Sequence, residues 1–391
     1  MTTAVHHAET AFSLARRARG VVRRVPVWTW RLLMRSVSSR ELTRFNSEPL
    51  TEVDYVHDIN YLGDKVRAHR LDVLTPAATA ADSLEGRTGR EKSLPVYVYF
   101  HGGGWTSGDK AALTKYCANQ AVGGMVVVNV NYRQAPRFHM GHVLRDANAA
   151  LAWVSANIDQ YGGDPECVVL GGDSAGGQIA ALLTAAIFRP ELAAHYSLKP
   201  AVPGKHLKGL VQHCSVVDFS VFFKSGFVLS LNFVRMLLPS GGKARGWIRS
   251  PFSTGRATER LRAAAGFVSP IEWLDGRFPP VFVTTSERDF FYEANLNFIR
   301  RLQQDAVPVD ILIYSWANAN TEHTWQQDYR YPESQEVYRR LHAFVRNVSD
   351  QPVDHDPLPA RPSGLSLDNG SADARSGTVR GRSSGEWLRE G

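Results

Sequence analysis

Ser174 lies inside the glycine-rich segment 171–177 (GGDSAGG), directly after the apolar run 167–170 (CVVL). The apolar run predicts a buried strand, and the small residues after it let the chain turn sharply into a helix packed close to that strand. A serine on such a corner has a strained backbone and an accessible hydroxyl, an arrangement known as a nucleophile elbow. Because glycine turns also produce G-x-S-x-G by chance, its interpretation depends on the rest of the chain.

A second glycine loop follows another predicted strand upstream of the serine. Residues 95–100 (PVYVYF) run directly into His101 and then into three successive glycines. Glycines leave backbone N–H groups uncovered, and such groups stabilise a negative charge that develops on an oxygen atom. We expect the amides of Gly102, Gly103 and Ala175 to form an oxyanion hole of this kind.

Two later predicted strands place an acid and a histidine downstream of the serine. Asp289 follows the run 280–286 (PVFVTTS), and His323 lies in the loop after the run 309–314 (VDILIY). Loops at the carboxyl edge of a parallel sheet converge, so these residues are expected to meet Ser174. The order serine, acid, histidine predicts a triad in which Asp289 orients His323. Asp218, which follows the sixth predicted strand, is an alternative acid.

The spacing of apolar runs predicts eight strands, near residues 53–60, 66–74, 95–101, 125–131, 167–172, 209–215, 280–286 and 309–314. From the third strand onward they alternate with helical patterns, which indicates an α/β protein with a mostly parallel sheet, an antiparallel start and helices on both faces. We expect a basic amphipathic arm over 1–50, a catalytic domain over 51–349 with a helical cap insertion at about 217–266, and a disordered tail over 350–391.

Motifs distributed over residues 90–345 resemble the hormone-sensitive-lipase family of α/β-hydrolases, the microbial esterases with HGGG and GDSAGG loops. The chain departs from the common family pattern at Trp105, over 137–142 (RFHMGH) and after Asp289, where Phe290 and Phe291 replace a Pro-Leu pair. The matching segments are 101–105, 131–136 (NYRQAP), 150–153 (ALAW), 161–165 (YGGDP) and 171–177.

This resemblance implies an α/β-hydrolase fold with a helical cap, and a serine carboxylesterase or lipase that works through an acyl-enzyme without cofactor or metal. The aromatic residues of the cap insertion favour an apolar acyl ester as substrate. Two alternatives stay open: an amide hydrolase resembling arylacetamide deacetylases, and a non-catalytic receptor resembling the gibberellin receptors, which lack the histidine. The side chains expected to line the substrate site are Trp105, Phe219, Phe222 and Trp325.

The net charge of +7 is concentrated near the start of the chain. Residues 16–44 contain nine arginines and one glutamate, a balance of +8, so the remaining residues sum to −1. The body therefore has no basic excess for nucleic-acid binding. The arm also has an apolar helical stripe, for which two interpretations remain: a helix that covers the active site, or a helix that binds an anionic membrane surface.

Three cysteines, Cys117, Cys167 and Cys214, lack metal-ligand spacing, and we expect them to be reduced and mostly buried. The first residues lack the apolar segment of a signal peptide, and no apolar run has the length of a membrane span. We therefore expect a cytoplasmic protein, with peripheral membrane contact through residues 16–44 as a further property. Oligomeric state is left open by the sequence.

Overall fold

The computed structural model describes residues 49–77, 93–224, 230–239 and 255–350. The predicted basic arm, apart from its last two residues, and the predicted tail, apart from residue 350, lie outside these ranges. So do 225–229 and 240–254 of the predicted cap insertion. The strands are β1 (Val53–Asn60), β2 (Arg70–Pro76), β3 (Leu94–Phe100), β4 (Val126–Val130), β5 (Gly163–Asp173), β6 (Leu207–His213), β7 (Val281–Ser286) and β8 (Val309–Tyr314).

The eight strands form one sheet in the order β1-β2-β4-β3-β5-β6-β7-β8. β2 runs antiparallel to both β1 and β4, whereas every pairing from β4 to β8 is parallel. This confirms the mostly parallel sheet with an antiparallel start. β2 begins at Arg70 instead of the predicted residue 66, because a turn closed by the hydrogen bond from His69 N to Val66 O (3.0 Å) occupies residues 66–69.

Helices cover both faces of the sheet, as predicted, because successive strand residues point to opposite sides. In β3, Val96, Val98 and Phe100 face one core cluster, while Tyr97 and Tyr99 face the other. α1 and α8 pack on the tyrosine side, and the remaining helices contribute to the opposite side. The helices are α1 (Thr114–Val122), α2 (Met140–Asn157), α3 (Ala175–Phe188), α4 (Pro190–Tyr196), α5 (Ser230–Leu237), α6 (Gly255–Gly266), α7 (Tyr292–Gln304) and α8 (Pro332–Asp350).

The register of the central strands brings their carboxyl ends to one edge. Phe100 of β3 pairs with Gly172 of β5, and Asp173 pairs with His213 of β6. The two glycine loops therefore begin side by side at this edge. Within the described ranges, no helix combines the length and apolarity needed to cross a bilayer.

Candidate active site

Ser174 occupies the corner between β5 and α3. Its backbone has φ 50° and ψ −115°, a strained conformation for a residue with a side chain. The corner is held on both sides, because Ser174 N donates to His213 O (2.9 Å) and Ser174 O accepts from Val216 N (3.1 Å). A Cβ on Gly172 would come within 2.5 Å of both Gly176 C and Phe100 O, so only glycine allows α3 to pass this close.

His323 joins the serine to a carboxylate. Its Nε2 lies 3.0 Å from Ser174 Oγ, and its Nδ1 lies 2.7 Å from Asp289 Oδ1. A carboxylate only accepts, so Nδ1–H donates to Asp289 and the lone pair of Nε2 faces the serine hydroxyl. Ser174 and Asp289 are buried, and His323 is half-buried. Hydroxyl, imidazole and carboxylate thus form one hydrogen-bonded chain that reaches solvent at the imidazole.

Asp289 is held at the end of β7 by groups other than the histidine. Thr285 Oγ1 donates to Asp289 Oδ2 (3.1 Å), and Phe291 N donates to Asp289 Oδ1 (3.1 Å). Each of the two carboxylate oxygens therefore has a donor of its own. These two bonds orient the carboxylate independently of His323, and the oriented carboxylate fixes the direction in which the imidazole points.

Asp218, the alternative acid, is engaged elsewhere. Its Oδ1 accepts from Ser220 N (2.8 Å) and caps the short helix Phe219–Phe223. Its Oδ2 accepts from Asn297 Nδ2 (2.6 Å) in α7. The structure brings Asp289, and not Asp218, to His323.

The glycine loop after β3 differs from the prediction in one donor. Gly102 N donates to the buried Oδ1 of Asp173 (2.9 Å), so this N–H is already engaged, which corrects its assignment to the oxyanion hole. Within the described part of the chain, no hydrogen bond engages the N–H groups of Gly103, Gly104 or Ala175. Gly103 and Gly104 have φ 114° and 59°, a backbone conformation that favours glycine. The N–H groups left free at this edge of the described chain are thus those of Gly103, Gly104 and Ala175, and Gly104 was not among the donors predicted from the sequence.

An aromatic row runs from the glycine loop to the histidine. Ring centroids are 5.7 Å apart for Trp105–Phe219, 5.1 Å for Phe219–Phe222, 6.0 Å for Phe222–Phe291 and 5.6 Å for Phe291–His323. Three of the four residues expected to line the substrate site, Trp105, Phe219 and Phe222, thus belong to one row of buried rings in contact that ends at the imidazole.

Trp325 lies in the other layer, contrary to the prediction. Thr324, with φ 61°, turns the chain away from His323, and Trp325 packs on Tyr314 (5.8 Å between centroids) in the core cluster of α1 and α8. Sequence proximity to the histidine therefore does not place this side chain on the aromatic row.

Phe290 is a site residue that the sequence analysis did not assign. Its ring lies 4.0 Å from the His323 ring, centroid to centroid, and is 57% exposed. The sequence could have indicated this contact, because Phe290 directly follows Asp289, the residue that was predicted to bond His323.

One trio of side chains has donor atoms close enough to suggest a metal site in the described ranges. The ligand atoms of Cys214, Asp289 and His323 all lie within 4.8 Å of one another. Burial raises the pKa of the Cys214 thiol well above its usual range, so the sulfur is a neutral thiol. Because Asp289 and His323 are hydrogen-bonded directly to each other, the arrangement suits proton transfer.

Sheet order, serine corner and glycine loops together define the α/β-hydrolase fold. The chain belongs to the hydrolase family whose sequence profile, described as alpha/beta hydrolase fold, matches residues 97–318. This confirms the family predicted from the motifs.

Several characterised proteins are similar to this chain. Carboxylesterase NlhH of Mycobacterium tuberculosis is 44% identical over 92 residues, covering 23% of this chain and 29% of that protein. Esterase LipQ of the same species is 27% identical over 233 residues, covering 54% of this chain and 49% of that protein. The matched segments thus span less than half of either relative. The structure of esterase B from Lactobacillus rhamnosis is similar in fold, with TM-score 0.69 and 21% identity over 84% of this chain and 96% of that one.

Proposed function

We propose that this protein is a serine carboxylesterase or lipase that hydrolyses apolar acyl esters. The observation that carries the proposal is the hydrogen-bonded chain from Ser174 Oγ through His323 to Asp289, at 3.0 and 2.7 Å. A hydroxyl paired with an imidazole that a buried carboxylate orients is the arrangement that activates serine as a nucleophile.

In the proposed reaction, Ser174 Oγ attacks the ester carbonyl while His323 Nε2 takes the hydroxyl proton. The negative charge on the carbonyl oxygen is stabilised by the N–H groups of Gly103, Gly104 and Ala175. His323 then gives its proton to the departing alkoxide, leaving an acyl-enzyme. Water, deprotonated by the same imidazole, releases the acid and restores the serine, with Asp289 stabilising the imidazolium at both steps.

The aromatic row supports an apolar acyl group. The rings of Trp105, Phe219 and Phe222 contact one another in sequence, and the row begins at the glycine loop, where the carbonyl oxygen is expected to bind. Trp105 is fixed in this position because its Nε1 donates to Gln178 Oε1 (3.0 Å) on α3. A rigid apolar wall next to the oxyanion donors favours acyl chains over charged substrates.

Replacing the nucleophile tests the proposal. Ser174→Ala is expected to lower kcat on short p-nitrophenyl esters by about 10⁴-fold or more and to abolish labelling by a fluorophosphonate probe. Ser155→Ala, which removes an exposed hydroxyl from α2, is the matched control and should retain both. Hydrolysis by Ser174→Ala at nearly the wild-type rate would rule the assignment out. Preferential cleavage of the corresponding anilides over the esters would favour an amide hydrolase.

A further inference from the structure

Asp173, the residue before the nucleophile, has a buried carboxylate that the proposed reaction does not use. Its side chain accepts three hydrogen bonds. Tyr99 Oη (2.7 Å) and Gly102 N (2.9 Å) donate to Oδ1, and Gln327 Nε2 (2.9 Å) donates to Oδ2. Asp173 is only 2% exposed, so these bonds are formed with little competition from water.

The three donors come from three separate parts of the active-site edge. Tyr99 belongs to β3, Gly102 opens the glycine loop, and Gln327 lies four residues after His323 in the same loop. Asp173 itself ends β5, immediately before the Ser174 corner. One carboxylate thus links the nucleophile corner, the oxyanion loop and the histidine loop.

We propose that Asp173 is a positioning residue whose carboxylate holds the oxyanion loop and the histidine loop in register with Ser174, with Gln327 as its link to the histidine loop. This inference rests on the proposed function, because the groups being positioned are those of the triad and the oxyanion hole. In this role the side chains of Asp173 and Gln327 act through the loops, since their hydrogen bonds go to Tyr99, Gly102 and each other and not to a triad side chain.

Two physical facts support this positioning role: charge-assisted hydrogen bonds are strong, and the reaction rate is sensitive to small displacements of catalytic groups. Hydrogen bonds to an ionised carboxylate are about twice as strong as neutral ones. Burial raises the pKa of the Asp173 carboxyl, while Tyr99 Oη–H and Gly102 N–H oppose that rise by stabilising the anion. A displacement of about 1 Å in a catalytic group costs about 10²-fold in rate, so loosening either loop should be visible in kcat.

The neighbouring glutamine provides a matched control. Gln326 is also buried in the histidine loop, but its Nε2 donates to Thr284 Oγ1 (3.0 Å) on β7 instead of to Asp173. Gln327→Ala is expected to lower kcat between about ten- and about a hundredfold with little change in KM, because substrate contacts remain while the histidine loop loses its anchor. Gln326→Ala should lower the unfolding temperature and leave kcat close to wild type.

Two substitutions that change charge test the contact between Asp173 and Gln327 without removing either side chain. In Gln327→Glu two carboxyl groups face each other, so at a pH high enough to ionise both, repulsion should displace the loop and lower kcat at least as much as Gln327→Ala does. Adding Asp173→Asn to Gln327→Glu turns the contact into an amide N–H donating to a carboxylate, and is expected to recover most of the lost kcat. A variant that had merely lost stability would not recover its kcat in this way.

Single-turnover labelling with a fluorophosphonate separates the two proposals. If wild type does not react at Ser174, the proposed function and the positioning role both fail. If wild type reacts and Gln327→Ala reacts equally fast, only the positioning role fails. It also fails if Gln326→Ala loses as much kcat as Gln327→Ala, or if Asp173→Asn does not rescue Gln327→Glu.

Discussion

At the scale of single residues, hydrogen-bond partners distinguish side chains that look equivalent in the sequence. Asp218 and Asp289 are both buried aspartates that follow strands at the same edge of the sheet. The Asp218 carboxylate caps a short helix and accepts from α7, whereas the Asp289 carboxylate accepts from His323. Their chemistry therefore follows from neighbours that are remote in the chain.

Exchanging each carboxylate for an amide tests this difference. Asp289→Asn is expected to lower kcat by about 10⁴-fold, because an amide N–H facing Nδ1 favours the imidazole tautomer that cannot accept the serine proton. Asp218→Asn should keep kcat, since asparagine caps a helix as well as aspartate does. Steady-state kinetics on one ester, with circular dichroism to verify folding, measures both. The reverse pattern would identify Asp218 as the acid.

At the scale of elements, α1 and α8 pack on the face of the sheet opposite the aromatic row. α8 lies beside α1, and the His342 Nε2–H of α8 donates to Gln120 Oε1 of α1 (3.0 Å). Burial, assisted by the nearby Arg346, lowers the pKa of His342 to about 4. Protonation of this imidazole therefore destabilises the folded chain, which makes the packing of α1 and α8 sensitive to acid.

The lowered pKa of His342 makes the folded chain less stable as the pH falls. The ordinary histidine pKa is about 6.5, so between that pH and about 4 the unfolded chain binds one more proton at His342 than the folded chain does. The stability contributed by His342 is complete above the unfolded pKa and is lost as the pH falls through this window.

Replacing His342 should flatten the acid response. His342→Gln keeps an N–H donor for Gln120 and removes the titration, so its free energy of unfolding should fall less steeply below pH 6.5, by up to about 1.4 kcal/mol per pH unit. Urea unfolding followed by tryptophan fluorescence at pH 7.5, 6 and 5 measures the two slopes. The other buried histidines are common to both proteins and cancel in the comparison. Equal slopes would show that folding does not lower the pKa of His342.

At the scale of the whole molecule, charge is unevenly distributed along the chain. Residues 16–44 carry a balance of +8 and all other residues together −1. The apolar stripe in this arm suits a helix that covers the substrate site, and its arginines suit attraction to anionic lipid. We propose that covering the site is the main role of the arm and that weak membrane attraction is secondary.

Deleting residues 1–45 distinguishes the two roles. A covering role predicts that the deletion changes the preference among esters of increasing acyl length, because an apolar wall is lost. A membrane role predicts that the intact protein binds phosphatidylserine vesicles more than phosphatidylcholine vesicles, with binding that weakens as salt screens charge beyond about 8 Å. We expect the altered preference, with vesicle binding that is weak and salt-sensitive. Unchanged acyl preference would exclude the covering role.

Local sequence was sufficient to predict the strands, the corner at Ser174 and the family. Apolar runs indicate burial, and the glycines of the two loops indicate close approach, as between Gly172 and the backbone of Phe100. Such constraints act over a few residues and leave a readable pattern. The one strand start corrected above, that of β2, differed from the prediction because of a local turn over residues 66–69.

Contacts between distant residues were decided by the tertiary structure alone. The bond from Gly102 to Asp173 removes one expected oxyanion donor, and the turn at Thr324 sends Trp325 into the other layer. Gln327 meets Asp173 across 154 positions of sequence. Each of these outcomes depends on strand register, which is set by packing of the whole sheet. The type of a residue therefore indicates which chemistry is open to it. Only the folded chain determines which partner that residue contacts.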